Sequence, residues 1–109
     1  MNYKLTIPPS TTEKNAVVQS FDIARRVVNK ISIHIPDGHK YLVHFQIKTR
    51  GRLIVPEFGS GDQWLEGNNQ DKTTDFSPAL VMDGPPYEIT LRGWSEDDTY
   101  PHTFFVEVQ

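Results

Sequence analysis

Residues 27–55 read VVNKISIHIPDGHKYLVHFQIKTRGRLIV, and two runs within them alternate apolar and polar side chains with a period of two. In the first, Ile31, Ile33 and Ile35 alternate with Lys30, Ser32 and His34; in the second, Val43, Phe45 and Ile47 alternate with His44, Gln46 and Lys48. Successive side chains of a strand point to opposite faces, so each run predicts a half-buried β-strand. The link Pro36-Asp37-Gly38-His39-Lys40 is rich in turn residues, and its shortness predicts that the two strands are antiparallel neighbours sharing one apolar wall. Arg50-Gly51-Arg52 predicts a tight turn into Leu53-Ile54-Val55, which Pro56 stops.

Working outward, Tyr3, Leu5 and Ile7 alternate with Lys4 and Thr6 before Pro8-Pro9, which predicts an edge strand or arm over residues 1–15. Val17, Gln19, Phe21 and Ile23 open another strand, favoured over a short helix because β-branched and aromatic residues suit a pleated surface. Residues 57–75 carry no periodicity and predict one long loop, anchored by Trp64-Leu65; a loop of that length in a small domain is usually functional. Residues 76–82 predict a short extended piece. Tyr87, Ile89 and Leu91 mark a further strand, an acidic turn follows at Glu96-Asp97-Asp98, and Phe104, Val106 and Val108 mark the last strand. About eight short strands at regular spacing, with no long helix, predict an all-β fold: a two-sheet antiparallel β-sandwich of jelly-roll or related Greek-key topology, as one domain over residues 16–109.

The chain has 109 residues, no cysteine and a formal net charge of -3. That excludes a disulfide framework, a thiolate nucleophile and a thiolate metal site. It also argues against direct nucleic-acid binding, which needs a clustered excess of Lys and Arg; Lys48, Arg50 and Arg52 read as a solvated strand end and turn. No apolar run reaches the ~20 residues of a membrane helix, and no signal-peptide pattern opens the chain, so a soluble protein is expected.

His34 and His44, on the polar sides of the central pair, suggest two metal ligands with His39 in the turn between them. A catalytic zinc site wants three protein ligands, and nothing nearby supplies the third, so neither a metal nor a cofactor is expected. Glu96, Asp97, Asp98 and Asp62 offer calcium ligands without the spacing of a calcium loop; an acidic turn bonded to its own backbone explains the first three better. Ser60 lies in Gly59-Ser60-Gly61, which lacks the spacing of a nucleophile elbow, and no pair is singled out among Glu57, Glu66 and Glu88. No catalytic residues are therefore expected. Trp64, Trp94 and Tyr100 could form flat stacking surfaces for sugars, while core packing is the plainer reading of Trp94.

The succession Ile33-His34-Ile35-Pro36-Asp37-Gly38-His39, Val43-His44-Phe45-Gln46-Ile47, Pro56, Trp64-Leu65-Glu66-Gly67-Asn68 and Pro86-Tyr87-Glu88-Ile89-Thr90-Leu91-Arg92-Gly93-Trp94, continuing to Thr103, resembles small β-sandwich proteins encoded with the head genes of tailed viruses. The resemblance covers most of the chain beyond residue 27. It implies a non-enzymatic structural virion protein: a decoration or cement protein on the capsid exterior of a bacteriophage head, or a related vertex or fibre-base module. Such a protein would bind the major capsid protein or other virion subunits as a homo-oligomer, after a stay in the host cytoplasm during assembly. Tyr3, Leu5, Ile7, Phe58, Trp64 and Leu65 are the expected partner contacts, and deletion of residues 1–9 should then release the protein from the particle while leaving a folded domain. The alternative is a carbohydrate- or receptor-binding module using Trp64, Trp94 and Tyr100; a metal-assisted enzyme of similar shape comes third.

Overall fold

The computed structural model describes residues 1–56 and 63–109. Eight strands are present among them: β1 (Asn2–Ile7), β2 (Val17–Asp22), β3 (Val27–Ile35), β4 (Val43–Thr49), β5 (Arg52–Val55), β6 (Gln70–Val81), β7 (Glu88–Ser95) and β8 (His102–Val108). They form two antiparallel four-stranded sheets, in the orders β1-β8-β3-β6 and β2-β7-β4-β5. The all-β sandwich expected from the alternation is the fold observed, with the jelly-roll order of strands.

Connection length decides where the chain changes sheet. Only the β4–β5 link, residues 50–51, stays within one sheet. Arg50 (φ 45°) and Gly51 (φ 81°) both lie in the left-handed region, the signature of the two-residue hairpin turn whose twist matches the strands. The Arg50 guanidinium donates to the carbonyls of Asp83 (3.0 Å) and Pro86 (2.8 Å), tying this hairpin to the β6–β7 loop. Every other link is longer and crosses the ~10 Å between packed sheets.

That crossing corrects the expectation for the central pair. β3 and β4 are not ladder neighbours: β3 lies between β8 and β6, and β4 between β7 and β5. Their link spans residues 36–42, and the Asn68 side-chain carbonyl accepts from the amides of Gly38 and Lys40, both at 2.9 Å. The apolar faces still meet, but as opposing layers. Ile31, Ile33 and Ile35 look inward from one sheet and Val43, Phe45 and Ile47 from the other, all at most 1% exposed. Phe45 and Phe104, one from each sheet, stack at 4.6 Å in the interior.

Of the edge strand or arm expected over residues 1–15, the edge strand is what forms: β1 borders its sheet and pairs along its whole length with β8, and its Leu5 and Ile7, expected at a partner surface, are buried in the core. The loop expected over residues 57–75 is shorter at its far end, because Gln70 to Asp75 already pair with Ile35 to Lys30 as the start of β6. Residues 24–26 carry the chain from β2 to β3.

Gly93 shows how tightly the layers meet. A Cβ there would overlap Ile7 Cδ1 and lie 3.2 Å from the His44 carbonyl oxygen. Ile7 is fully buried, so any movement that makes room for the methyl group must be taken up by the packed core. Gly93→Ala is therefore expected to cost about 1–3 kcal/mol through overpacking. Urea unfolding measures this, and unchanged stability would show that the interior can yield.

Candidate functional site

The densest group of chemistry-bearing side chains lies on the outer face of the β2-β7-β4-β5 sheet. β4 points His44 and Gln46 outward, and the register sets His44 beside Trp94 and Gln46 beside Arg92 of β7. Beyond the end of β5, the chain returns to the sheet edge through a bridge: Phe45 N–H donates to the Leu65 carbonyl (3.0 Å) and Leu65 N–H to the Phe45 carbonyl (2.8 Å). Alternation then sends Leu65 toward the core and Trp64 and Glu66 outward, next to Gln46 and His44.

The result is a continuous aromatic and charged cluster. The His44 ring stacks on Trp94 at 4.1 Å with a 20° interplanar angle. Its Nδ1 lies 2.7 Å from Glu66 Oε2 and its Nε2 2.7 Å from Glu96 Oε2. Carboxylates only accept, so both bonds form together when both ring nitrogens carry protons. Trp64 meets Trp94 edge-on at 6.2 Å, and Arg92 lies 5.2 Å above the Trp64 ring as a cation–π pair. Arg92 Nη1 also donates to Gln46 Oε1 (2.6 Å), and buried Gln46 passes its own amide hydrogen to the Gln63 carbonyl (2.8 Å). Both indole N–H groups are buried without an acceptor among the described residues. Hydrogen bonds and ring contacts thus lock residues 63–66 to β4 and β7.

A second cluster bridges the β3–β4 link and the start of β8. His39, 1% exposed, points Nε2 at the Thr103 carbonyl (3.0 Å), and its ring lies 4.9 Å from that of His102. His102 Nε2 contacts Asp97 Oδ2 at 2.6 Å. Asp97 Oδ1 accepts from Thr99 N–H (2.9 Å) and Tyr100 N–H (3.4 Å), the backbone-bonded acidic turn expected from the sequence. The His102 hydrogen bond, helped by these amides, holds the Asp97 carboxyl below the usual carboxylate range.

Burial pushes the His39 imidazole below its ordinary value, with His102 and His34 adding to the effect and the Thr103 bond opposing it. Its Nδ1 is buried without a partner, so a proton there would be a charge with no acceptor. The unfolded chain takes up this proton first as pH falls, so the stabilisation is complete above about pH 6.5 and is lost below it, until folded His39 protonates as well. Stability is expected to decline on acidification through this window, by at most about 1.4 kcal/mol per pH unit for one proton. His39→Gln, which keeps a donor for Thr103, should flatten the decline when urea midpoints are measured from pH 7.5 to 5; an unaltered slope would show that His39 is not its source.

The structure brings together some of the sequence-derived site residues and separates others. Trp64 and Trp94 join in the first cluster. Tyr100 stands in the β7–β8 turn, 66% exposed, with no ring contact to either tryptophan. Leu5 (2%), Ile7 (0%) and half-buried Leu65 pack in or against the core, and Tyr3 packs on Phe21 at 4.8 Å. Phe58, with Glu57, Ser60 and Asp62, lies outside the described residues. His34 and His44 do not approach, since they lie on the outer faces of opposite sheets; His34 pairs with Asp71 at 2.6 Å instead. Among the described residues no group of three or more His, Asp or Glu is placed to hold a metal ion. Sequence reasoning missed the bonds of His44 to Glu66 and Glu96, whose only visible sign was an outward histidine on an alternating strand.

Eight strands in the orders 1-8-3-6 and 2-7-4-5 define the class: a jelly-roll β-sandwich. Among solved structures the chain is similar to a chain of tomato aspermy virus, determined by X-ray crystallography, with a TM-score of 0.52 and 16% identity over 100% of this chain and 76% of that one. At that identity the likeness is one of fold. No protein-family model matches the chain, and no curated protein matches it in sequence.

Proposed function

We propose that this protein is a non-enzymatic structural component of a virus particle, and within that class a decoration or cement protein of a tailed-virus head. It would bind the outside of the capsid lattice as a homo-oligomer, with the major capsid protein or other virion subunits as partners, after release into the host cytoplasm. The observation that carries the virion reading is the full-length match of its fold to a chain of a virus structure. The tailed-virus assignment rests on the sequence resemblance across residues 33–47, 64–68 and 86–103. A net charge of -3 suits a place outside a shell of packed nucleic acid better than one inside it. Among the described residues no helix is long and apolar enough to cross a membrane.

The test is to mix purified protein with capsids that lack it, pellet the particles and quantify the bound chain by mass spectrometry. Saturable, stoichiometric occupancy on the outer surface is the expected result, and no binding to expanded or unexpanded capsids would sink the reading. Sugar binding ranks behind, because His44 already covers one face of Trp94 and Arg92 lies over Trp64. Retention on a glycan affinity gel, abolished by Trp64→Ala, would reverse that order.

A further inference from the structure

Two sheets have four edges, and three of these are guarded against pairing with another chain. β1 carries Lys4 and ends at Pro8-Pro9; β5 is four residues long and starts with Arg52; β6 carries Asp71, Lys72, Asp75 and Pro78. Charges, prolines and short length are the usual devices that blunt an edge. β2 has none of them from Val17 to Phe21: the run is Val-Val-Gln-Ser-Phe, with Val18 55% exposed.

The unused backbone groups of β2 can be located. Ile23 N–H donates to the Tyr87 carbonyl (2.7 Å), and in an antiparallel ladder alternate residues face the same neighbour. By the β2–β7 register, Val17, Gln19, Phe21 and Ile23 then face β7, and Val18, Ser20 and Asp22 turn their N–H and C=O groups to the open side. No other strand of the described residues lies against that side.

We propose that β2 is a self-association edge, pairing antiparallel with β2 of a second copy of this chain about a two-fold axis at Gln19. The inference deepens the homo-oligomeric part of the proposal above and rests on that part alone. A second copy is the occupant because the strand is self-complementary in this register. Val18 and Ser20 of one copy stand opposite Ser20 and Val18 of the other, so that outward N–H and C=O groups exchange bonds. On the inward side half-buried Val17 meets Phe21, extending the apolar strip that already includes the Tyr3–Phe21 contact. Asp22, the only charge of the strand, falls opposite Ala16 and meets no like charge. Shifting the register by two residues in either direction keeps the bonding pattern but breaks the Val17–Phe21 pairing, leaving Phe21 opposite Asn15 or Gln19. The paired copies share one eight-stranded sheet, 5-4-7-2-2-7-4-5.

Sedimentation velocity and native mass spectrometry over a concentration series test this on the whole chain. The wild type is expected to be a dimer. Val18→Pro removes an outward N–H without touching the β2–β7 ladder and should weaken the dimer at least about tenfold. Gln19 is exposed, so Gln19→Glu and Gln19→Lys leave the fold intact while placing like charges opposite each other at the axis. Each alone should weaken the dimer by about fivefold, and an equal mixture should form the mixed dimer in preference to either homodimer. A monomeric wild type overturns this interface and the homo-oligomeric reading together. A wild-type oligomer indifferent to all three substitutions overturns the interface alone, and neither result bears on particle binding.

Discussion

A variant lacking residues 1–9 is expected to lose its cooperative unfolding transition, not merely its binding partners. Leu5 and Ile7 are 2% and 0% exposed, and burying such side chains is worth about 1.5–3 kcal/mol each. The deletion also removes the entire β1–β8 ladder, from Asn2 opposite Glu107 to Ile7 opposite His102. It uncovers Phe21, whose ring packs on Tyr3, and opens a space at Gly93 where Ile7 now sits. Roughly 3–6 kcal/mol of apolar burial alone is a large share of the ~5–15 kcal/mol that keeps a small domain folded. Thermal melting followed by circular dichroism decides the matter. A truncated protein melting like the full chain would mean that β1 is dispensable to the fold.

Phe45→Ala carries the second large effect. Phe45 and Phe104 are each fully buried, come from opposite sheets and stack at 4.6 Å with a 24° interplanar angle, so they fasten the two layers together. Removing either ring leaves a cavity between layers whose strands are held by their ladders and cannot collapse freely. The expected cost is about 3–5 kcal/mol for each single substitution. The double variant should cost less than the sum, because the second truncation enlarges a cavity already made. Urea denaturation of the two single variants and the double variant measures both quantities. A loss below about 1 kcal/mol for Phe45→Ala would show that the interior can close over the missing ring.

How far the fold was legible depended on whether a strand's inward positions were apolar. Ile31, Ile33 and Ile35, or Phe104, Val106 and Val108, announce their strands because one face is buried and the other wet. The first half of β6 does not: its half-buried positions are Gln70, Lys72 and Thr74, at the rim of a sheet where little apolar surface is available to cover them. Its polar composition therefore read as loop. The candidate site was legible residue by residue and illegible as a group. Trp64, Trp94 and His44 drew attention individually, but Glu66 lies 22 residues and Glu96 52 residues from His44, separations that no local pattern relates. Leu5 and Ile7 were placed at a partner surface because the prolines after them suggested an arm; the β1–β8 ladder turned their alternation inward.

The residues by themselves determined the class of element and the inward face of most strands, because the side-chain period is set by bonds between neighbours in the chain. They also determined the tight turn at Arg50-Gly51-Arg52, which in the structure is a two-residue hairpin that returns the chain antiparallel within one sheet. Which strands pair was decided only in three dimensions. The Pro36-Asp37-Gly38 link is compatible with a hairpin, yet β3 takes β8 and β6 as neighbours, and β4 takes β7 and β5. That arrangement lets the isoleucines of β3 cover the apolar face of β4 from above, whereas side-by-side pairing would leave both faces open to water. Burial summed over all eight strands outweighs the preference of any one link.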